Sequence, residues 1–321
     1  MLHFLLTLFS IVLITSTNTT YGNKCIREKD VVDYEQNVVL KSRWAIVTLT
    51  KHGKQEVKRD IDKRNKLLAE KLKPYAQNHN FTFIFFSEFN IPSNVIQNWI
   101  DVFKDVGTVR YINTHHLGYN GVFGYYYMCK FYSVDIYTLL KDYDYYMRCD
   151  VDCYIEKLDY DMFQWFENRN GGYGFASRKT ESHKITVRTM PPWINDYMSA
   201  CSIVPASLMG SNFDYCFNFY NNWHIGRISF FNRPDVRHFL KSVNESGNYM
   251  KHRWGDSTVQ AYTVRLFMDT DQILQVPNFT YIHGSHGPRG YRISTFIDDK
   301  STWANAPGEF LPFWKNTNKG L

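Results

Sequence analysis

Apolar and polar positions change rhythm several times along this chain. AIVTLT (45–50) is a short apolar run rich in β-branched residues, which predicts a buried strand. Residues 54–73 carry charge on one face and apolar positions on the other, and stop near Pro74; this predicts an amphipathic helix. FTFIFF (81–86) predicts a second strand, residues 93–104 a helix, and TVRYIN (108–113) a third strand. Strands and helices in alternation are the signature of a parallel sheet with crossover helices. Such sheets bind nucleotides beyond the carboxyl ends of their strands. Residues 125–140 suit another helix, and DYDYYMR (142–148) a fourth strand that runs straight into Cys149-Asp150-Val151-Asp152. The second half is less regular, with strand-like patches at 171–177 and 225–231 and a helix over 256–268. No repeat and no Gly/Ser linker divides it. The pattern therefore predicts one α/β domain over residues 43–300, with a Rossmann-like N-terminal half and an aromatic-rich second half. Residues 23–42 read as a short polar stem and residues 301–321 as a loosely packed tail.

The N-terminus adds a compartment. Residues 2–14 hold ten apolar residues in thirteen, the length of a signal-peptide core and short of the roughly 20 residues that span a bilayer. Residues 1–22 are thus expected to be a signal peptide or signal anchor, although no Lys or Arg precedes the run. Sequons at Asn18, Asn80, Asn244 and Asn278 agree with a lumenal route. Six cysteines (Cys25, Cys129, Cys149, Cys153, Cys201 and Cys216) are expected to pair in part there. Cys149 and Cys153 have the spacing of a metal pair, but no second pair accompanies them, which argues against zinc. The length of 321 residues, with 44% hydrophobic and 21% charged, excludes a disordered or fibrous chain. A balance of 37 basic against 31 acidic residues, +6, is too mild for a nucleic-acid partner and fits a basic pocket for a phosphate-bearing small molecule. Aromatic residues make up 17%, which suits sugars and bases.

The most informative chemistry is the acidic pair at the end of the fourth predicted strand. Asp150 and Asp152 are two apart, so on a strand they project from one face. Two carboxylates so placed repel each other, and a divalent cation relieves the repulsion. Hard oxygen ligands suit Mn²⁺ or Mg²⁺. A metal held there can take a diphosphate in its remaining positions, as needed when a nucleoside diphosphate leaves a sugar.

Four blocks in order then resemble one family. YYYMCKFYSVDIYTLLKDYDYYMRCDVD (125–152) is similar to Y-R-H-M-C-R-F, a spacer, and Y-D-x-Y-W-R-V-E-P-D. NWHIGRISFF (222–231) is similar to N-F-E-I-x-x-x-x-F-W. GNYMKHRWGDSTV (247–259) is similar to G-G-F-x-x-E-R-W-G-D-A-P-V, and Tyr281-Ile282-His283 to G-Y-x-H. These are the blocks of glycosyltransferase family 15, the fungal α-1,2-mannosyltransferases, and the resemblance runs from about Trp44 to about His283. It implies a GT-A-like fold, GDP-mannose with Mn²⁺, retaining transfer of mannose to a glycan or glycoprotein acceptor, and a Golgi or ER lumen setting. By position it implies Asp150, Asp152 and His283 as the metal site. It implies Tyr125, Asp152 and Arg253 near the nucleotide sugar, with Lys51 in the place of a basic residue there. Asp256 keeps the acid of R-W-G-D.

The departures are as informative. His224 stands where the family has the Glu of N-F-E-I, its candidate nucleophile or cation-stabilising carboxylate. A neutral imidazole supports an oxocarbenium-like centre poorly. Either another acid serves, with Asp214 and Asp256 the candidates, or departure and attack share one face without a protein nucleophile. Tyr126, Tyr127 and Val151 also replace family residues. A lumenal carbohydrate-binding protein derived from such a transferase, without turnover, is the alternative. A zinc hydrolase built on His283 and His286, or on His115 and His116, lacks a helical H-E-x-x-H and is remote.

Overall fold

The computed structural model describes residues 41–50, 55–114, 124–207, 216–284 and 291–295. The expected leader, the stem before residue 41 and the tail lie outside them. No helix among the described residues is long and apolar enough to cross a membrane.

The first half follows the predicted alternation. Strand β1 (Arg43–Leu49), helix α1 (Gln55–Leu72), β2 (Asn80–Ser87), α2 (Ser93–Phe103) and β3 (Thr108–Asn113) make two parallel crossovers. Next come α3 (Gly124–Lys130), a π turn (Phe131–Asp135) and α4 (Ile136–Leu139), which together fill the single helix expected over 125–140. The chain then enters β4 (Tyr145–Cys149), parallel to β1.

The second half holds more elements than its pattern predicts. It contains β5 (Cys153–Leu158), α5 (Met162–Asn168), β6 (Tyr173–Phe175), β7 (Arg178–Thr180), α6 (Lys184–Cys201) and β8 (Phe217–Phe219). After these come β9 (Trp223–Arg227), α7 (Ile228–Phe231), α8 (Pro234–Glu245), α9 (Asn248–His252), α10 (Asp256–Phe267), β10 (Ile273–Gln275), β11 (Phe279–His283) and β12 (Tyr291–Ser294). The strand expected over 225–231 is β9 only up to Arg227. It then turns into helix, where Ile228, Phe230 and Phe231 are all buried.

Seven strands form the main sheet in the order β10-β6-β9-β4-β1-β2-β3. The sheet is mixed rather than wholly parallel, because β9 runs antiparallel to both β4 and β6. A three-stranded sheet, β12-β11-β5, accompanies it, and β7 pairs with β8. One apolar cluster, on α1, α2 and α5, includes Trp44, Phe83, Trp99 and Phe163. The other, on α8 and α10, includes Tyr146, Phe239, Trp254 and Tyr262. Sheet residues enter both clusters because successive side chains alternate faces. Helix α10 is almost wholly buried, so it shows no polar stripe. Both halves converge where β4 ends, and that end carries Asp150 and Asp152.

Candidate functional site

Strand β4 places Tyr146 and Arg148 two residues apart, and its antiparallel partner β9 sets His224 directly opposite Arg148. Arg148 organises the acidic groups around the strand's end. Its Nε and Nη2 donate to the two oxygens of Asp150 at 2.8 and 2.9 Å, and its Nη1 donates to Asp256 Oδ2 at 2.5 Å. The guanidinium carbon lies 3.5 Å from the centre of the Tyr132 ring. Tyr132 comes from the π turn, and its hydroxyl oxygen accepts from Leu49 N at 2.9 Å. Burial works against the Arg148 cation, but Asp150 and Asp256 outweigh it and hold its pKa above the ordinary value. Burial raises the Asp150 pKa, with Arg148 opposing.

Asp256 opens helix α10. Asn221 Nδ2 donates to its Oδ2 at 3.0 Å and also to Gln260 Oε1, one turn further along the helix. Tyr125, half exposed, lies beside this helix start with the Arg253 guanidinium 5.1 Å from its ring centre. Arg253 sits in the left-handed region at φ 53°, a conformation few non-glycine residues take. Burial raises the Tyr125 phenol pKa.

Past β4 the chain turns over Val151 and Asp152 into β5. Strand β11 pairs with β5, setting His283 opposite Cys153. His283 Nε2 therefore lies 3.2 Å from Asp152 Oδ2. Its Nδ1 is 2.6 Å from the Tyr220 hydroxyl, so a partner on one ring nitrogen orients the other. Gly284 N donates to Asp152 O at 2.8 Å, and a Cβ at Gly284 would lie 3.2 Å from the Tyr154 ring.

His224 is fully buried. Its Nδ1 lies 3.0 Å from Asn221 O and its Nε2 lies 2.9 Å from the Tyr146 hydroxyl. The pattern that satisfies both is an Nδ1–H donating to the carbonyl and an Nε2 accepting from the phenol. Burial, with Arg148 nearby, pushes its pKa down to about 3. The ring is neutral and has no lone pair left for attack.

The structure thus brings Asp152 to His283, and Asp150 to Asp256 through Arg148. It does not bring Asp150 to His283. Each Asp150 oxygen accepts one hydrogen bond from Arg148 and keeps a second lone pair that a cation could take. Among the described residues no three carboxylates, imidazoles or thiols gather into a metal-binding group. Asp152 and His283 still offer the oxygen and nitrogen donors that fit Mn²⁺, with the rest of the shell left to water and ligand. Lys51, Asp214, His115, His116 and His286 lie outside the described residues. Cys149 and Cys153 are free buried thiols whose sulfurs face the carbonyls of Cys153 and Asn222. Cys201 is disulfide-bonded.

Four residues of this constellation escape a reading of the sequence: Arg148, Tyr132, Asn221 and Tyr220. Arg148 has a signal, since a lone cation two places before an acid on a strand must share its face. The others have none in sequence spacing.

A family model described as glycolipid 2-alpha-mannosyltransferase matches residues 57–291. The chain belongs to that family. Among curated relatives it is 26% identical over 198 residues to the probable mannosyltransferase MNT3 of Candida albicans, covering 59% of this chain and 52% of that one. It is 25% identical over 252 residues to the probable mannosyltransferase YUR1 of Saccharomyces cerevisiae, covering 68% and 58%. The chain thus spans a little over half the length of these members. The fold matches solved members at 19% identity. Core-mannan synthase A of Aspergillus fumigatus, solved in a Mn/GDP form, gives a TM-score of 0.64 over 83% of this chain and 82% of that one. Ktr4p of S. cerevisiae gives 0.62 over 82% and 74%. The GT-A-like α/β architecture expected from the sequence is therefore the one this chain has.

Proposed function

We propose that this chain is a metal-dependent mannosyltransferase, taking mannose from GDP-mannose to a glycan or glycoprotein acceptor with retention and an α-1,2 linkage. The observation that carries the reading is the Asp152–His283 pair, 3.2 Å apart at the carboxyl end of the sheet. Asp152 and His283 would hold Mn²⁺, with Mg²⁺ as a weaker substitute because imidazole suits manganese better. The bound metal would supply positive charge to the departing diphosphate. Tyr220 keeps the His283 ring turned toward Asp152. Tyr125 and Arg253 form a ring-and-cation wall at the start of α10, suited to the nucleotide sugar. Asp256, steadied by Arg148 and Asn221, presents a carboxylate beside that wall and orients sugar hydroxyls.

His224 takes no part in bond making. Its two nitrogens are already engaged, and it is sealed from solvent. Attack and departure then share one face of the sugar, with the acceptor hydroxyl in place of a protein nucleophile. The Cys201 disulfide supports a lumenal setting in the secretory pathway, Golgi or ER.

The test is GDP release from GDP-mannose with Mn²⁺ and a mannoside acceptor. Release that stops with a chelator and with Asp152→Asn supports the reading. A purified, folded protein that releases no GDP with any mannoside is not a transferase. The second reading, a glycan-binding protein without turnover, is favoured by the loss of the carboxylate at position 224. Glycan binding indifferent to chelator and to Asp152→Asn would establish it.

A further inference from the structure

At the opposite end of the same strands lies a cleft of about 430 Å³, within the roughly 300–1,000 Å³ that small-molecule sites occupy. It is walled by the starts of β1 and β4, the turn before β4 and the end of β9. Six residues separate Asp144 from Asp150, so at about 3.3 Å per residue the cleft is roughly 20 Å from the acidic turn.

Its charge is lopsided. Arg43 is engaged by Asp144, at 3.3 Å between Nη2 and Oδ1. Lys141 is exposed and makes no ion pair among the described residues. Arg227, half-buried, makes no ion pair among the described residues: its Nη2 donates to Asn170 Oδ1 at 2.6 Å, its guanidinium also reaches the Tyr145 hydroxyl, and its buried Nε finds no acceptor among them. Two further acids are near, Asp142, which acts on Arg43, and Glu167, which acts on Tyr145. Arg110 adds a cation behind Tyr143, donating to its hydroxyl at 3.0 Å. Two tyrosine rings, Tyr143 and Tyr145, complete the lining, and the Arg227 guanidinium lies 5.7 Å from the Tyr145 ring centre.

We propose that this cleft binds a phosphate monoester carried on a polyhydroxylated scaffold. Lys141, on the turn before β4, and Arg227, at the end of β9, come from different walls, so together they suit a dianion with three acceptor oxygens better than a single carboxylate. Tyr143 offers an apolar, hydroxyl-tipped face on which a ring of hydroxyl groups rests, while Tyr145 is stacked on Trp44 at 4.7 Å and backs Arg227. A soluble sugar phosphate and a phosphoinositide headgroup share this chemistry. The inference stands apart from the transferase reading, since it uses none of those residues.

The experiment is calorimetric titration of the full chain with a hexose 6-phosphate, and with the unphosphorylated hexose, in metal-free buffer. A parallel arm measures cosedimentation with phosphatidylcholine vesicles, with and without phosphatidylinositol 4-phosphate. The hexose phosphate should bind and the hexose should not. Arg227→Gln and Lys141→Gln should each weaken binding about tenfold, the size of one charge-assisted hydrogen bond. Lys141 is exposed, so its variant folds even if Arg227→Gln does not. Binding confined to the phosphoinositide vesicles, and lost in the Lys141 variant, supports the site with lipid as its source. No binding in either arm, or binding unchanged in both variants, overturns the proposal.

Discussion

Arg148 shows how one side chain can hold a site together. A buried guanidinium with carboxylates on two sides and an aromatic ring beneath it is stable only as a set. Removing the cation leaves Asp150 and Asp256 buried and unpaired, which costs about 3–5 kcal/mol. Arg148→Met should therefore lower unfolding free energy by about that much in a denaturant titration, and a loss under about 1 kcal/mol would show that the carboxylates find other partners. His224 behaves differently. Its folded pKa, about 3, lies below the 6.5 of an unfolded imidazole. The unfolded chain thus binds the extra proton between those values, and stability from this group is full above pH 6.5 and falls as pH drops toward 3. The slope is about 1.4 kcal/mol per pH unit. His224→Gln keeps an acceptor for Tyr146 and should flatten that part of the stability–pH curve; an unchanged curve would mean the imidazole is reached by water. The acid pair is legible in the sequence as the close of the fourth strand, but the shared face expected from its period-two spacing is not kept, because β4 ends at Cys149 and Asp152 lies in the turn that follows. That Asp152 turns toward His283 has no local signature, because it depends on β11 pairing with β5.

Elements with simple periods are legible in the sequence and those without are not. Strands β1, β2 and β3 and helices α1 and α2 carry clean patterns, and their bounds differ from expectation by a residue or two. Helix α6 runs through Pro191 and Pro192, a pair that reads as a break, since proline removes a backbone donor. The short strands β6, β7, β8 and β10 have three residues each, too few for a period to show. Small helices lean instead on their caps. Asp161 accepts from Gln164 N at 3.0 Å at the start of α5 and faces His79 Nε2 at 2.9 Å. Burial raises its pKa, but these partners outweigh burial and the net shift is downward. The stabilisation is therefore present above the unfolded carboxyl pKa near 4 and lost as pH falls below it. Asp161→Ala should cost about 1 kcal/mol at neutral pH and less at about pH 3, read from thermal unfolding at both values. Equal losses at the two would show that packing, not the charge, is what the residue supplies.

At the scale of the whole molecule, the fold follows from a sheet that must be covered on both faces. Alternating side chains of β1, β2 and β4 feed two apolar clusters, and the helices that cover them are those the crossovers supply. Helix α10 can be placed from sequence, but its near-complete burial cannot, since Gln260, Thr263 and Arg265 are polar residues in the interior. The antiparallel β9 has no local signature either: it enters between β4 and β6 from far along the chain, and brings His224 and the neighbouring Asn221 with it. The site thus assembles from residues 125 to 283, and its Asp152–His283 pair closes only when β11 docks on β5. Tyr220→Phe leaves that docking intact while freeing the His283 ring. It should weaken Mn²⁺ about tenfold or more, in a competition titration, with no change in thermal stability of the metal-free chain. Unaltered affinity would mean that Asp152 alone sets the metal.

The metal role proposed for Asp152 and His283 is tested most directly by a calorimetric titration of GDP into the full chain with and without Mn²⁺, repeated on Asp152→Asn and His283→Ala. GDP should bind the wild-type chain only when Mn²⁺ is present, and neither variant should show that dependence while both keep the wild-type circular-dichroism spectrum. GDP that binds equally well without the metal, or binds both folded variants as tightly as the wild type, would contradict the claim that Asp152 and His283 together hold the cation.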